Sequence, residues 1–148
     1  MKALVIFDSN LGNTKKIAES IAKEFGGEAK AIHVTDFDIK DLEGLNLIVV
    51  GSPIIGWKPT EQIDKFLSDL AKDQLKGIMA TSFDTRVKLF IHGDAMTKIL
   101  DKLKNAGAEI IVEPKAFIVR GNKDATILEA GAIENAVSWA KSIKTKFE

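Results

Sequence analysis

The chain has no cysteine and no tyrosine, only three prolines, and no excess charge of either sign, with 21 Lys+Arg against 21 Asp+Glu. Without cysteine there are no disulfides, no thiolate metal ligands and no thiol nucleophile, and a reducing cytoplasm is the expected compartment. Balanced charge gives no long-range pull toward DNA or an anionic membrane, so neither nucleic acid nor membrane is expected as a partner. No apolar run approaches the roughly 18 residues of a membrane span. The N-terminal MKALVIFDSN runs straight into Asp8 with no small-residue cleavage site, so it does not read as a signal peptide. Repeats, low-complexity stretches and Pro/Gly/Ser linkers are missing too, and residues 1–148 are expected to form one domain. Two separate histidines, His33 and His92, do not make a metal site. No G-x-S-x-G turn supports a serine nucleophile.

What the chain does have is alternation. Residues 2–7 (KALVIF), 45–51 (LNLIVVG) and 77–83 (GIMATSF) are apolar runs of the kind that a strand covered on both faces needs. Residues 28–33 can add a shorter strand, and 108–112 with 116–119 form a last strand region interrupted at Pro114. Between the strands, apolar residues recur at helical spacing: Ile17, Ala18, Ile21, Ala22 and Phe25; Ile63, Phe66, Leu67 and Leu70; Met96, Ile99, Leu100 and Leu103; Ile133, Ala136, Val137, Ala140 and Ile143. Pro59 is expected in the first turn of the second helix and Asp94 as the cap of the third, with stops at Gly26, Gly27 and Gly107. Trp139 and the lysines 141, 144 and 146 then fall on the packed and the solvated faces of the last helix. Five strand regions interleaved with four helices predict an α/β chain with a doubly wound, five-stranded parallel sheet and helices on both faces. Ligands of such sheets bind beyond the carboxyl ends of the strands, which singles out the loops 8–14, 52–59 and 83–93.

The first of these loops reads DSNLGNT and opens a helix. Helix N-termini carry unpaired N–H groups and the positive end of a dipole, and they bind anions. Gly12 leaves the backbone open to approach, and Ser9, Asn10, Asn13 and Thr14 add neutral donors. There is no Walker A lysine, so the loop suits a monophosphate rather than a nucleoside triphosphate. An ordinary N-capped turn would use the same residue types.

The stretch VIFDSNLGNTKKIAESI resembles the signature of the flavodoxin family, with Ser9, Gly12, Thr14, Ala18 and Ile21 at the signature's spacing. GSPIIGWKPTEQIDKFLSDL is similar to the family's second flavin loop and the helix after it. The resemblance implies strand order 2-1-3-4-5 and one non-covalently bound FMN. It implies that Ser9, Asn10, Leu11, Gly12, Asn13 and Thr14 surround the phosphate. It further implies that Ser52, Pro53, Ile54, Ile55, Gly56 and Trp57, with Phe83, Asp84, Thr85, Arg86 and Phe90, flank the flavin ring. The chain departs from the family's pattern at several points. Leu11 stands where a threonine is usual, Trp57 follows Gly56 rather than preceding the glycine, and no tyrosine is available for the third loop. The balanced charge also differs from the usual acidic composition.

The implied function is electron transfer, one or two electrons at a time, to a redox partner protein, with the chain as a monomer. A flavodoxin-like NAD(P)H:quinone reductase is the alternative, and it calls for a wider pocket than these short loops suggest. A phospho-receiver domain would need paired acids after the first strand and an acceptor Asp after the middle one, where this chain has Asp8 alone and Gly51-Ser52-Pro53. At single residues, His33 ends a strand with no visible partner, and His92 precedes a helix start. Arg86 either pairs with Asp84 in solvent or approaches the ring. A lone guanidinium about 6 Å from a reduced-flavin anion, at an effective dielectric constant of about 20, would favour that anion by about 2.8 kcal/mol, or about 120 mV.

Overall fold

The apolar runs become the middle of one sheet in the computed structural model, which describes residues 1–88, 93–122 and 125–147. The strands are β1 (Lys2–Phe7), β2 (Glu28–His33), β3 (Leu47–Pro53), β4 (Met79–Val87), β5 (Glu109–Ile110), β6 (Lys115–Asn122) and β7 (Ala125–Leu128). The helices are α1 (Asn13–Phe25), α2 (Glu61–Ser68), α3 (Met96–Asn105) and α4 (Ala132–Thr145). Spatial order is β2-β1-β3-β4-β6-β7, with the short β5 also beside β4. All pairings are parallel except β6 with β7.

The sheet is therefore the expected 2-1-3-4-5 order with its fifth position split. β5 pairs with Met79 and Ala80, and β6 resumes from Phe83 to Val87. The chain leaves the ladder between them, at the segment that holds Pro114. β7 is an addition that the sequence pattern does not announce, because its four residues, ATIL, are too short a run to mark a strand. Two 3₁₀ turns, Val34–Asp36 and Ile39–Leu42, lead from β2 toward β3.

Side-chain alternation along each central strand feeds two cores, one on each sheet face. Leu4, Ile6, Ile48, Val50 and Ala80 pack with Ile63 and Leu67 of α2 and Ile99 and Leu103 of α3. Ala3, Val5, Phe7, Leu47 and Val49 pack with Ile17 and Ile21 of α1 and Ala136, Ala140 and Ile143 of α4. Phe83 belongs to this second core, fully buried and edge-on to Phe117 and Trp139. It does not reach the flavin-loop side as the sequence reading has it. Gly51 is what admits the ring, since a Cβ there would lie 2.1 Å from it. Trp139 is a packing residue, as expected.

Other local expectations shift by a residue or two. Thr60 is the N-cap of α2, accepting from the Ile63 N–H at 3.3 Å, so Pro59 precedes the helix instead of entering its first turn. The Asp94 carboxylate accepts from the Thr97 N–H at 3.0 Å and so supports the start of α3. Lys144 is not merely solvated, because it donates to the Glu24 carbonyl at 3.0 Å and joins α4 to α1. No helix among the described residues is long and apolar enough to cross a membrane.

Candidate functional site

β1 delivers the chain to the first loop at Asp8, whose N–H donates to the Gly51 carbonyl of β3 at 3.2 Å. The loop turns on Gly12, at φ 91, with no heavy atom within 4 Å of a would-be Cβ. The glycine is needed there for its backbone angle, not for space. Ser9 folds its hydroxyl inside the turn, where it accepts from the N–H groups of Gly12 (3.1 Å) and Lys15 (3.4 Å). The N–H groups of Asn13 and Thr14, in the first turn of α1, form no hydrogen bond to any described residue. With glycine as the N-cap residue and Ser9 reaching only Gly12 and Lys15, these two donors are left for a ligand. The Thr14 hydroxyl lies 3.0 Å from that of Thr85 on β4, which ties α1 to the sheet.

Two side chains of this region differ from expectation. The Asn13 amide donates to the Thr126 carbonyl (3.1 Å) and hydroxyl (2.7 Å) of β7, so that amide is committed to the fold and only the backbone N–H of Asn13 faces outward. His33 has partners after all. Its Nδ1 accepts from the Thr35 N–H at 3.1 Å, and its Nε2 lies 3.0 Å from Asp8. Asp8 in turn accepts from the Ser9 N–H at 2.8 Å, so β2 helps to hold the first loop.

The second loop is a tight hairpin closed by reciprocal hydrogen bonds between Ile55 and Lys58, at 2.8 and 3.3 Å. Its central residues Gly56 and Trp57 have φ 57 and 72. Positive φ at both central positions is the requirement of a type I′ turn, and it is costly for a tryptophan. The conformation is held from outside. The Trp57 carbonyl accepts from the Asp94 N–H and from Lys98 Nζ, each at 3.2 Å. Gly93 lies directly against it, so that a Cβ there would fall 2.1 Å from Trp57 Cα. Ser52 is buried below the hairpin, donating to the Pro53 carbonyl (2.7 Å) and accepting from the Thr60 N–H (3.0 Å).

At the third loop, Asp84 is fully buried. Its carboxylate accepts from Arg86 Nε (2.9 Å) and Nη2 (2.6 Å), and from the N–H groups of Ala95 (3.3 Å) and Met96 (3.0 Å) at the head of α3. These bonds hold the Arg86 guanidinium above its ordinary pKa, chiefly through the Asp84 hydrogen bond and against the opposing effect of burial. Asp94 adds a second carboxylate at 3.8 Å. Arg86 is therefore neither a solvated pair nor a lone cation. It is the outer half of a buried pair.

The three loops enclose a cavity of about 500 Å³. Of the residues singled out from sequence, Asn10, Leu11, Asn13, Thr14, Pro53, Ile54, Ile55, Gly56, Trp57, Thr85 and Arg86 line it. Ser9, Gly12, Ser52 and Asp84 support its walls from behind, Phe83 is in the core, and Phe90 and His92 lie outside the described residues. Val87 and Gly93, inside the third loop but not named as flavin contacts, also line the cavity, as do Val119, Gly121 and Thr126, which escape the sequence reading. These last three come from the carboxyl end of β6, the second half of the fifth position, and from β7 beside it, where the general rule for parallel sheets could have directed attention. One end of the cavity thus offers free helix amides and hydroxyls. The rest is mostly aliphatic and aromatic, with Thr85, Arg86 and Thr126 as its polar members. That donor set suits a long ligand with an anionic end and a flat apolar body. No cluster of His, Asp and Glu suited to a metal occurs among the described residues.

A family model described as a flavodoxin domain matches residues 4–115, which takes in all three loops. A flavodoxin of Aquifex aeolicus (strain VF5) is 34% identical over 92 residues, a stretch that spans 57% of this chain and about half, 49%, of that relative. A flavodoxin of Maridesulfovibrio salexigens is 29% identical over 98% of both chains. Among solved structures, oxidised flavodoxin 1 of Bacillus cereus superposes with a TM-score of 0.80 over 98% of both chains at 20% identity, a likeness of fold. With the family match covering β1 through the start of β6 and the loops placed as described, the chain belongs to the flavodoxin family.

Proposed function

We propose that the protein is an electron carrier that binds one FMN without a covalent link in the cavity between the three loops. The observation that carries this reading is the pair of free N–H groups, Asn13 and Thr14, at the start of α1, opening into a cavity whose remaining lining is mostly apolar. FMN matches the donor set. Its phosphate would take the two amides, the Thr14 hydroxyl and the Asn10 side chain, with no cation required. The Ile55–Trp57 side of the hairpin and the Arg86–Val87 end of β4 would border its ring.

FMN supplies a centre that takes up and releases electrons, one or two at a time. The chain's own part is to hold and shield it. Ser9 keeps the phosphate loop curled, Thr14 and Thr85 lock α1 onto β4, and the Trp57 hairpin closes one wall. Because Gly93 and Asp94 meet Trp57, the second and third loops touch at the rim. That contact favours a carrier handing electrons to a protein partner over a reductase that must admit a second substrate. The test is the visible spectrum of purified protein before and after FMN is added, followed by an assay for NAD(P)H oxidation with a soluble quinone. Stoichiometric flavin uptake without quinone-dependent turnover is expected. Rapid turnover would make the chain a reductase, and no flavin uptake would end the reading.

A further inference from the structure

The exposed rim of the cavity is apolar at its centre and basic around it. Leu11, Ile55 and Trp57 all line the cavity mouth and are 42%, 47% and 57% exposed. Exposed apolar groups gathered at one place mark a contact surface. The charges of the second and third loops are sorted by direction. Asp84 is buried under Arg86, and Asp94 is engaged at the head of α3 beside the same guanidinium. The lysines point outward: Lys58 in the hairpin, Lys88 directly after Val87 and Lys98 beside the Trp57 carbonyl are exposed and form no ion pair among the described residues. Over segments 52–61 and 84–98, the acids that oppose them are Glu61 at the start of α2 and Asp94, whose side chain is 42% exposed beside Arg86, so three lysines face two carboxylates.

Resting on the electron-carrier reading, we propose that this face docks a redox protein whose contact surface is an apolar centre flanked by acidic side chains. The apolar rim supplies the desolvated contact, and the lysines supply orientation and encounter rate. A basic partner would meet like charge at Lys58, Lys88 and Lys98. Because the whole chain is neutral, the attraction comes from this local arrangement and not from net charge.

The sign of the local charge is measured independently of the cofactor. Amide NMR line widths of the purified protein are recorded with hexacyanochromate(III), a paramagnetic trianion, and separately with hexaamminechromium(III), a trication. The trianion is expected to broaden amides of residues 55–58 and 93–98 several-fold more than the trication, and about 0.5 M NaCl should remove the difference by screening. The double variant Lys58→Glu/Lys88→Glu, at two residues that do not line the cavity, should invert the preference. In the second arm, FMN-loaded, reduced protein is mixed with the acidic soluble domain of cytochrome b5 or with basic cytochrome c. Electron transfer to the acidic protein should slow as ionic strength rises, and transfer to the basic one should not. Equal or reversed broadening in the unaltered protein overturns the proposal, as does faster transfer to the acidic protein at high salt. Failure to take up FMN overturns the carrier reading, and the redox partner with it, while the NMR arm still reports the sign of the patch.

Discussion

At the scale of single residues, a few hydrogen bonds and one buried pair hold the candidate site together. Thr14→Ala removes the hydroxyl proposed to meet the phosphate, together with its contact to Thr85. Binding of FMN should weaken by about 1–3 kcal/mol, the cost of leaving a charged acceptor short of a partner. Calorimetric titration of both proteins checks this, and an unchanged affinity would take Thr14 out of the site. Trp57→Ala should loosen FMN by about 0.5–1.5 kcal/mol beyond lost area if the indole stacks on the ring. It should also brighten the emission of bound flavin, because contact quenching is lost. Unchanged emission would mean that the indole faces away. Asp84→Asn should lower folding stability by about 3–5 kcal/mol, since it strands a guanidinium whose side chain is only 10% exposed. Urea unfolding measures that loss. The double variant Asp84→Asn/Arg86→Met should recover part of it, and a double variant no better than the single one would mean that the pair is not the source of the effect.

Whole elements show what could be read in advance and what could not. The three long apolar runs identify the central strands because a strand covered on both faces needs apolar side chains on each side. The loops at their carboxyl ends follow from the sheet type, and eleven of the residues taken from those loops line the cavity. Phe83 illustrates the limit. It lies on the same face of β4 as Thr85 but one pleat deeper, so a two-residue difference separates the cavity wall from the core. The pairing of Asn13 with Thr126 spans 113 positions in sequence and joins a helix start to a strand too short to stand out in the sequence. Nor does any local pattern announce that Asp84 supports a helix beginning eleven or twelve residues later. These links depend on tertiary placement, which periodicity does not carry. The contact between the second and third loops gives a prediction at this scale. Gly93→Ala puts a methyl 2.1 Å from Trp57 Cα and must displace the hairpin. It should weaken FMN binding more than it lowers the unfolding midpoint, and the opposite ratio would mean that the contact serves folding alone.

For the molecule as a whole, charge placement matters more than net charge. A lone Arg86 near the ring would raise the second reduction potential by about 120 mV. The buried partner Asp84 converts that cation into a dipole, whose field falls off faster with distance. Replacing both members by the neutral pair Asp84→Asn/Arg86→Met is therefore expected to move the second potential by only a few tens of millivolts. Spectroelectrochemical titration of the two proteins decides, and a drop near the full value would show that Arg86 acts as an unpaired charge.

The central claim is that the start of α1 holds a phosphate and that the loops around it hold a flavin. It is tested most directly by titrating flavin-free protein with FMN and, separately, with riboflavin while following flavin fluorescence. The account predicts one FMN per chain, bound at least about tenfold more tightly than riboflavin, since hydrogen bonds to a charged group contribute about 1.5–3 kcal/mol each. Equal affinity for the two flavins, or no uptake of FMN, would contradict it.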